Sequence, residues 1–413
     1  PYKGDKLIQF MLESISDLQS QIASVGGVLN LSYGITHDVV GKLIEQEGID
    51  AVFSNKDYTP FAKLRDAAIA DVCKKHNVAF FTFDDSLLFA PGQICKDDGK
   101  PYTVFTPFYR RAMLQDVKLP QKFNLDACAL SKKTFASHDG KLLKTLAPSK
   151  KYSLFVNGGR TQGFVALEKA KSLSHYDFDR DFPAIQKTTG LSAHNKFGTL
   201  SIREVHQQLS QTFGADAAIV KQLYWRDFLT HISIHFPHVY GHAFDTKYEH
   251  IAWIWDEKKF LAWCEGKTGF PIVDAGMRQL VSTGFMHNRV RMIVASFLTK
   301  DLHIDWRIGE KFFAQHLIDY DPAVNNGNWQ WASSTGCDAQ PYFRIFNPWL
   351  QQEKFDKDAV YIKQWITELK DLSSKEIHAL HKTRPAHLSY PTQIVEHADA
   401  KETALMLFHE AKR

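Results

Sequence analysis

Apolar positions in the first hundred residues alternate between two periods. Leu7, Phe10, Met11, Ile15, Leu18 and Ile22 fall near helical spacing and predict a helix over 8–25, stopped by Gly26-Gly27. Val28-Leu29-Asn30-Leu31 reads as a short strand. Thr36 is placed to cap a helix running to about Gln46. Ala51 to Ser54 reads as a second strand, Phe61 to Lys75 as a helix, and Val78 to Phe81 as a third strand. Strands alternating with helices imply a mainly parallel, doubly wound α/β sheet over residues 1–112. The region lacks G-x-G-x-x-G and any phosphate loop, so by motif it is not a standard dinucleotide domain. Residues 113–150 are irregular and rich in Lys, Ser and Pro, and read as a linker between domains. Within 151–413 the pattern turns helical. Segments 200–212, 217–235, 257–264, 271–283, 287–301, 308–319 and 357–369 carry helix spacing, which predicts an all-α second domain.

The 413 residues accommodate two or three domains with a large core. Fifty basic and 46 acidic side chains leave a net charge of +4, which allows a local basic groove without demanding one. No apolar run approaches the roughly 18 residues of a membrane span. The start, Pro1 to Asp5, is polar and unlike a secretory signal. The five cysteines are scattered and odd in number, which argues against a disulfide framework or zinc cluster and fits a reducing cytoplasm. All nine tryptophans lie between Trp225 and Trp365, so the two halves differ in composition.

G-x-S-x-G and H-E-x-x-H are absent, and the 19 histidines have no metal-ligand spacing. Three stretches carry candidate chemistry. Thr188-Thr189-Gly190-Leu191-Ser192 offers hydroxyls and backbone N–H groups to a phosphate, or simply caps a helix. Gly284 to Met292 sets Arg289, Arg291 and Asn288 beside apolar residues, as anion grips or as a solvated basic face. Asp319 to Ser333 packs two acids, paired amides, a glycine and two tryptophans into fifteen residues. A packed core has no need for so many polar groups beside aromatics, whereas a bound polar heterocycle does.

Together these stretches resemble the DNA photolyase and cryptochrome family. The resemblance extends through Tyr102-Thr103-Val104-Phe105-Thr106-Pro107-Phe108, Arg180-Asp181-Phe182-Pro183, Trp225-Arg226-Asp227-Phe228, Gly266 to Ala275, Asp338 to Pro348 and Tyr390-Pro391. Most similar are the class I cyclobutane pyrimidine dimer photolyases. The resemblance implies an α/β antenna domain and an all-helical domain holding FAD in a folded form. It implies Tyr176, Thr188, Thr189, Leu191 and Ser192 on the diphosphate side. Asn288, Arg291, Asp319 and Asp321 join them around the flavin, and Asn325 faces its N5 atom. Trp225 and Trp331 resemble the pair that packs against a flipped-out thymine dimer, where stacking returns about 1–3 kcal/mol per base. Gln222, Asn288 and Met292 match lesion contacts. Arg226, Arg289 and Arg344 are candidates for lesion or phosphate contact, or for structural ion pairs. The (6-4) photolyases carry histidines where Asn288 and Met292 stand.

The implied reaction is light-driven. Excited, reduced FAD gives an electron to the dimer, the cyclobutane bonds break and the electron returns, with no metal. Trp329, Trp306 and Trp253 match the family's electron chain to the surface, with Trp255 a rival for the outer place. UV-damaged DNA is the implied partner, for a monomer of bacterial type in the cytoplasm. A cryptochrome-like blue-light receptor is the alternative. Two departures stand out. Gln222 occupies a position where dimer photolyases carry Glu. The chain also opens without the family's first strand: about fifty residues, including the central strand, are missing from that pattern, as in a fragment or incomplete gene, and unpaired sheet edges follow. An antenna chromophore of folate or deazaflavin type is therefore left open, the more so because folate binders carry an acid near Ala62.

Overall fold

The computed structural model describes residues 2, 4–121 and 124–411. The chain opens with helix α1 (Asp5–Ser24) and helix α2 (Thr36–Glu47), followed by strand β1 (Ala51–Asn55). Helix α3 (Pro60–Lys75) then leads to strand β2 (Ala79–Phe83). The helix starts are written locally. Pro60 takes the first position of α3, and the Thr59 hydroxyl accepts from Ala62 N at 3.2 Å. Gly48 ends α2 in the left-handed conformation, at φ 66°.

The two strands pair in parallel, with Ala51 opposite Ala79 and Asn55 opposite Phe83. Ile44, Ile69 and Cys73 cover one face of this sheet, with Val52 and Phe80 against them. On the other face Phe53, Phe81 and Phe83 stack in the open, Phe53 and Phe81 at 5.0 Å. The α/β class is therefore as expected, but among the described residues the sheet has two strands. Val28 to Leu31 does not form the third. Its backbone runs beside residues 131–139 instead, through Val28 N to Ser131 O at 2.8 Å and Asp139 N to Leu31 O at 2.7 Å. Thr36 is not a cap either: Ile35 holds that position, without a side-chain bond.

Beyond residue 150 the chain is helical. Four expected helices match closely: Ile202–Phe213, Ala218–His235, Glu257–Cys264 and Pro271–Thr283. The predicted helix over 287–301 forms as Asn288–Ser296 followed by a π-helical turn, Phe297–Asp301. The predicted 308–319 helix runs from Trp306 to His316, because Leu317 turns extended. The 357–369 segment keeps only Val360–Trp365 as α-helix, since Ala359 before it turns left-handed at φ 53°, while Asp356 accepts from Tyr361 N and Ile362 N. No helix among the described residues is long and apolar enough to cross a membrane.

The largest core gathers Trp263, Phe270, Met277, Trp306, Trp329 and Tyr361. A second core joins the first half of the chain to the second. Leu88 and Phe89, with Phe105 and Phe108 of helix α4 (Phe105–Ala112), pack on Leu223, Phe228 and Ile232 of the Ala218–His235 helix. Burying one such side chain contributes about 1.5–3 kcal/mol. At its centre Asp227 accepts from Leu88 N at 2.9 Å and Phe89 N at 3.2 Å, so the loop after β2 is tied to this helix by a fully buried carboxylate.

Burial pushes the Asp227 carboxyl up to about 7, against the pull of Arg226 and the two amides. The folded state then holds a proton that the unfolded chain releases near 3.8, so stability is lost as pH rises between these values. Asp227→Asn should flatten that decline relative to the parent, as read from urea titrations at pH 4 to 7.

Candidate active site

The segment from Asp319 to Ser333 builds one polar wall. Pro322 takes the first position of the Pro322–Ser333 helix. Asp321 caps it, its Oδ1 accepting from Ala323 N and Val324 N at 3.1 and 3.3 Å. Burial alone would raise the Asp321 carboxyl, but Lys196, Arg226 and these two N–H groups hold it below its ordinary value. Two residues earlier, Asp319 receives both its bonds from Arg291 Nη2, at 3.0 and 3.3 Å. The Arg291 Nε donates to Met286 O at 2.7 Å, so the guanidinium is held in place from two sides.

Asn325 lies one turn after Asp321 and is buried. Its Nδ2 donates to Glu310 Oε1 at 2.9 Å and to Glu310 O at 3.2 Å. Both amide hydrogens are used, and Oδ1 has no protein donor among the described residues. Burial pushes the Glu310 carboxyl up, with the Asn325 bond opposing. Trp329 follows at i+4 and so shares the inner face of the helix with Asn325. Its ring lies against the backbone of Gly309, where a Cβ would stand 2.3 Å from the indole. Trp331, two residues further on, lies half-buried at the rim of the core.

Thr188 and Thr189 are half-buried and lead through Gly190, at φ 67°, into the Ser192–Phe197 helix. Leu191 N donates to Thr189 Oγ1 at 3.3 Å. The Leu191 side chain is buried in the second core, so only its backbone is open to a ligand, whereas Ser192 is exposed. Tyr176 is half-buried, its phenol pushed up by burial, with Arg180 6.0 Å from its ring. Lys196 and Asn195, on the same short helix as Ser192, line a cavity of about 440 Å³ together with Asp321 and Arg226. Lys56, Asp57, Tyr58 and Arg65 from the α/β part close its other side.

Of the residues expected at the lesion, Asn288 and Met292 stand together, with Nδ2 3.9 Å from Sδ. Trp225 is stacked on Phe105 at 3.6 Å, so one indole face is taken. Gln222 turns its Nε2 back to Ala218 O at 3.0 Å. Arg289 pairs with Asp181 at 2.8 Å and lies 4.3 Å over the Phe355 ring. Arg226 points inward, bonded to Ser86 O at 2.6 Å and 3.9 Å from Asp321, so a phosphate contact would have to displace those partners. Arg344 is exposed. In the expected electron chain Trp306 and Trp329 are buried, Trp253 is half-buried, and Trp255 is 56% exposed. Glu310 and Lys196 escaped the sequence reading. A lone acid in an amphipathic helix, or a lysine four residues after Ser192, has no local signal that separates it from a solvated residue.

Residues 2–123 match the family model described as DNA photolyase, and residues 219–410 match the FAD binding domain of DNA photolyase. A deoxyribodipyrimidine photo-lyase of Alkalihalophilus pseudofirmus is 36% identical over 97% of this chain and 87% of its own. The chain belongs to the DNA photolyase family. Among solved structures, the photolyase of Sulfolobus tokodaii, described with two FAD molecules and a novel light-harvesting cofactor, superposes with a TM-score of 0.88. It is 38% identical, over 99% of this chain and 90% of that one. The class III photolyase of Agrobacterium tumefaciens gives 0.92 at 36% identity, over 99% and 89%. The residues present fit the family's FAD. The free Oδ1 of Asn325 suits an N–H donor, and the half-buried Asp319 and Asp321, held by Arg291 and by backbone amides, suit polar ring and hydroxyl partners.

Asn325→Asp would set a second carboxylate at hydrogen-bond distance from Glu310. Two such groups cannot both ionise, so one keeps its proton well above the ordinary range. The folded state then binds more protons than the unfolded chain. The variant should lose stability relative to the parent as pH rises above about 4, in denaturant titrations across that range.

Proposed function

We propose that this protein splits cyclobutane pyrimidine dimers in UV-damaged DNA, using light and reduced FAD. One observation carries this reading: Asn325 and Trp329 share the inner face of one helix, and Glu310 takes both amide hydrogens of Asn325. The amide oxygen is thereby left to accept from the N5–H of a reduced flavin. Reduced FAD supplies, on absorbing light, the electron that opens the cyclobutane ring. Asp319 with Arg291, Asp321, Tyr176, Thr188, Thr189, Leu191, Ser192 and Asn288 hold the cofactor.

Trp225 and Trp331 offer flat apolar surfaces to an extruded dimer. Trp225 is already braced by Phe105, which lowers the entropy lost on stacking a base against its open face. Asn288, Met292 and Gln222 contact the lesion, and Arg289 and Arg344 the nearby phosphates. Trp329, Trp306 and Trp253 carry electrons inward when the flavin needs reduction. The absence of imidazoles at 288 and 292 favours cyclobutane dimers over (6-4) photoproducts.

We assign residues 1–112 to the antenna unit, 113–150 to the linker and 151–413 to the catalytic unit. The 440 Å³ cavity shares Asp321 and the Ser192–Phe197 helix with the flavin wall, and an antenna chromophore of folate or deazaflavin type is left without an assigned site. Lys56, Arg65, Arg160, Lys196 and Arg226 outnumber Asp57, Asp85 and Asp321 around the cavity, which favours an anionic group there. The protein acts as a monomer in the cytoplasm.

Purified protein should carry a flavin spectrum and, once reduced, remove dimers from an oligonucleotide under blue light. A long-lived flavin radical without dimer loss would replace repair with light sensing, and a colourless preparation would remove both. Gln222→Glu should raise repair about fivefold at limiting substrate. That is the roughly 1 kcal/mol by which a hydrogen bond to a charged acceptor exceeds a neutral one. A fall in repair would overturn the role given to this position.

A further inference from the structure

Two bonds stitch the approach to helix α4 onto the loop that follows the Pro322–Ser333 helix. Phe105 N donates to Asp338 Oδ2 at 3.0 Å, and Cys337 Sγ donates to Thr103 O at 2.7 Å. Phe105 is the first residue of α4 and is buried, and Val104 before it has no side chain that can cap. The Asp338 carboxylate therefore supplies the cap, from 233 positions away along the chain. Asp338 has a left-handed backbone, at φ 50°, which Asp and Asn adopt more readily than most other side chains.

The loop is itself folded back on the helix it leaves. Thr335 N and Gly336 N donate to Gln330 O at 3.0 and 3.1 Å, and Gln340 N donates to Trp331 O at 3.3 Å. Asp338 thus stands between two anchors on the last turn of that helix. On its other side, the Phe105 ring lies 3.6 Å from Trp225 and within 8° of parallel. Phe228 meets both rings edge-on, at 5.7 and 5.9 Å, which keeps the stack from sliding. A continuous path of bonds and ring contact therefore runs from Trp331 through Gln340, Asp338 and Phe105 to Trp225.

We propose that Asp338 and Phe105 are positioning residues that fix the separation of Trp225 and Trp331, and so select a dimer over undamaged bases. This rests on the lesion role proposed above for the two indoles. A cyclobutane dimer is one rigid block of two covalently joined bases, so a slot of fixed width receives it with little further ordering, and two independently mobile bases gain less from the same slot. Without the Asp338 carboxylate the buried Phe105 N–H is left unpaired and the start of α4 frays. The ring then loses its register against Trp225, and only the fraction of molecules with an intact slot binds the dimer tightly. Neither residue is among those that hold the flavin, so the chemistry of a dimer once bound is unaffected.

The flavin-loaded protein would be titrated in the dark with a dimer-bearing oligonucleotide and with its undamaged twin. Asp338→Ala and Asp338→Gly should each weaken dimer binding about fivefold, the worth of one cap. Binding of the undamaged strand, and the dimers split per absorbed photon at saturating DNA, should stay at the parental level. Glycine suits the left-handed backbone, so parental dimer affinity in Asp338→Gly would trace the alanine effect to strain and overturn the proposal. Asp338→Asn keeps an oxygen acceptor and should return affinity to within about twofold of the parent. An asparagine variant as weak as the alanine one would overturn it too, as would equal weakening on both strands. Phe105→Leu, which keeps the position apolar, should show the same loss as Asp338→Ala, and the double variant no more than either, because both act through one contact. Additive losses would sink the linkage. A parent that binds the two strands alike would instead remove the functional reading beneath it. Hydrogen exchange without DNA tests the bond separately: the Phe105 amide should exchange severalfold faster in Asp338→Ala, and an unchanged rate would refute the cap.

Discussion

Gly309 has no side chain, and the Trp329 indole lies in the space one would fill. This close approach lets the Trp306–His316 and Pro322–Ser333 helices meet with Glu310 and Asn325 in register. An alanine there would push the ring outward and with it the helix that carries Asn325, because packed interiors transmit such displacements. On the opposite side of the same helix Gly327 admits Leu229, whose side chain lies 2.7 Å from where its Cβ would be. The helix bearing the acids, the amides and the inner tryptophan is therefore gripped between two neighbours at two glycines.

Given that grip, the buried charges follow a consistent logic. Each carboxylate that the tight packing removes from water has a partner: Asp319 has Arg291, Asp321 has two backbone amides with Lys196 and Arg226 nearby, and Glu310 has Asn325. Burial without such partners would cost several kcal/mol per ion. The pairing also preorganises the wall, since Arg291 and Asn325 are held before any ligand arrives. Asn325 Oδ1 has no protein donor among the described residues, which supports the flavin contact proposed for it.

The α/β part depends on a different bond. Its two strands are too few to bury both faces of a sheet, and three phenylalanines stand open on one of them. This part is fixed to the helical body by the loop after β2 and helix α4, packed on the Ala218–His235 helix around Asp227, and by α1, whose Phe10 packs with Ala193 and Ile318. The aromatic stack of Phe105 on Trp225 belongs to the α4 contact. Attachment of the first unit at α4 and bracing of a candidate lesion platform are thus one structural event.

Local sequence determined most of the helices and their beginnings, because caps, prolines and apolar spacing act within one or two turns. Pro322 after Asp321, Pro60 after Thr59 and the periodic run of 271–283 needed nothing from elsewhere. The motif residues Asp319, Asp321 and Asn325 were legible for the same reason, lying within seven positions. Tertiary structure decided what depends on distant partners. Val28 to Leu31 has strand-like spacing, yet its hydrogen bonds go to a loop a hundred residues away. From the sequence Arg226 was open to a lesion or phosphate contact or to a structural ion pair, and the fold turns it inward to Ser86 O and towards Asp321. Glu310 was invisible because its meaning rests on Asn325 standing opposite, and a one-dimensional pattern does not encode what faces a residue across a helix pair.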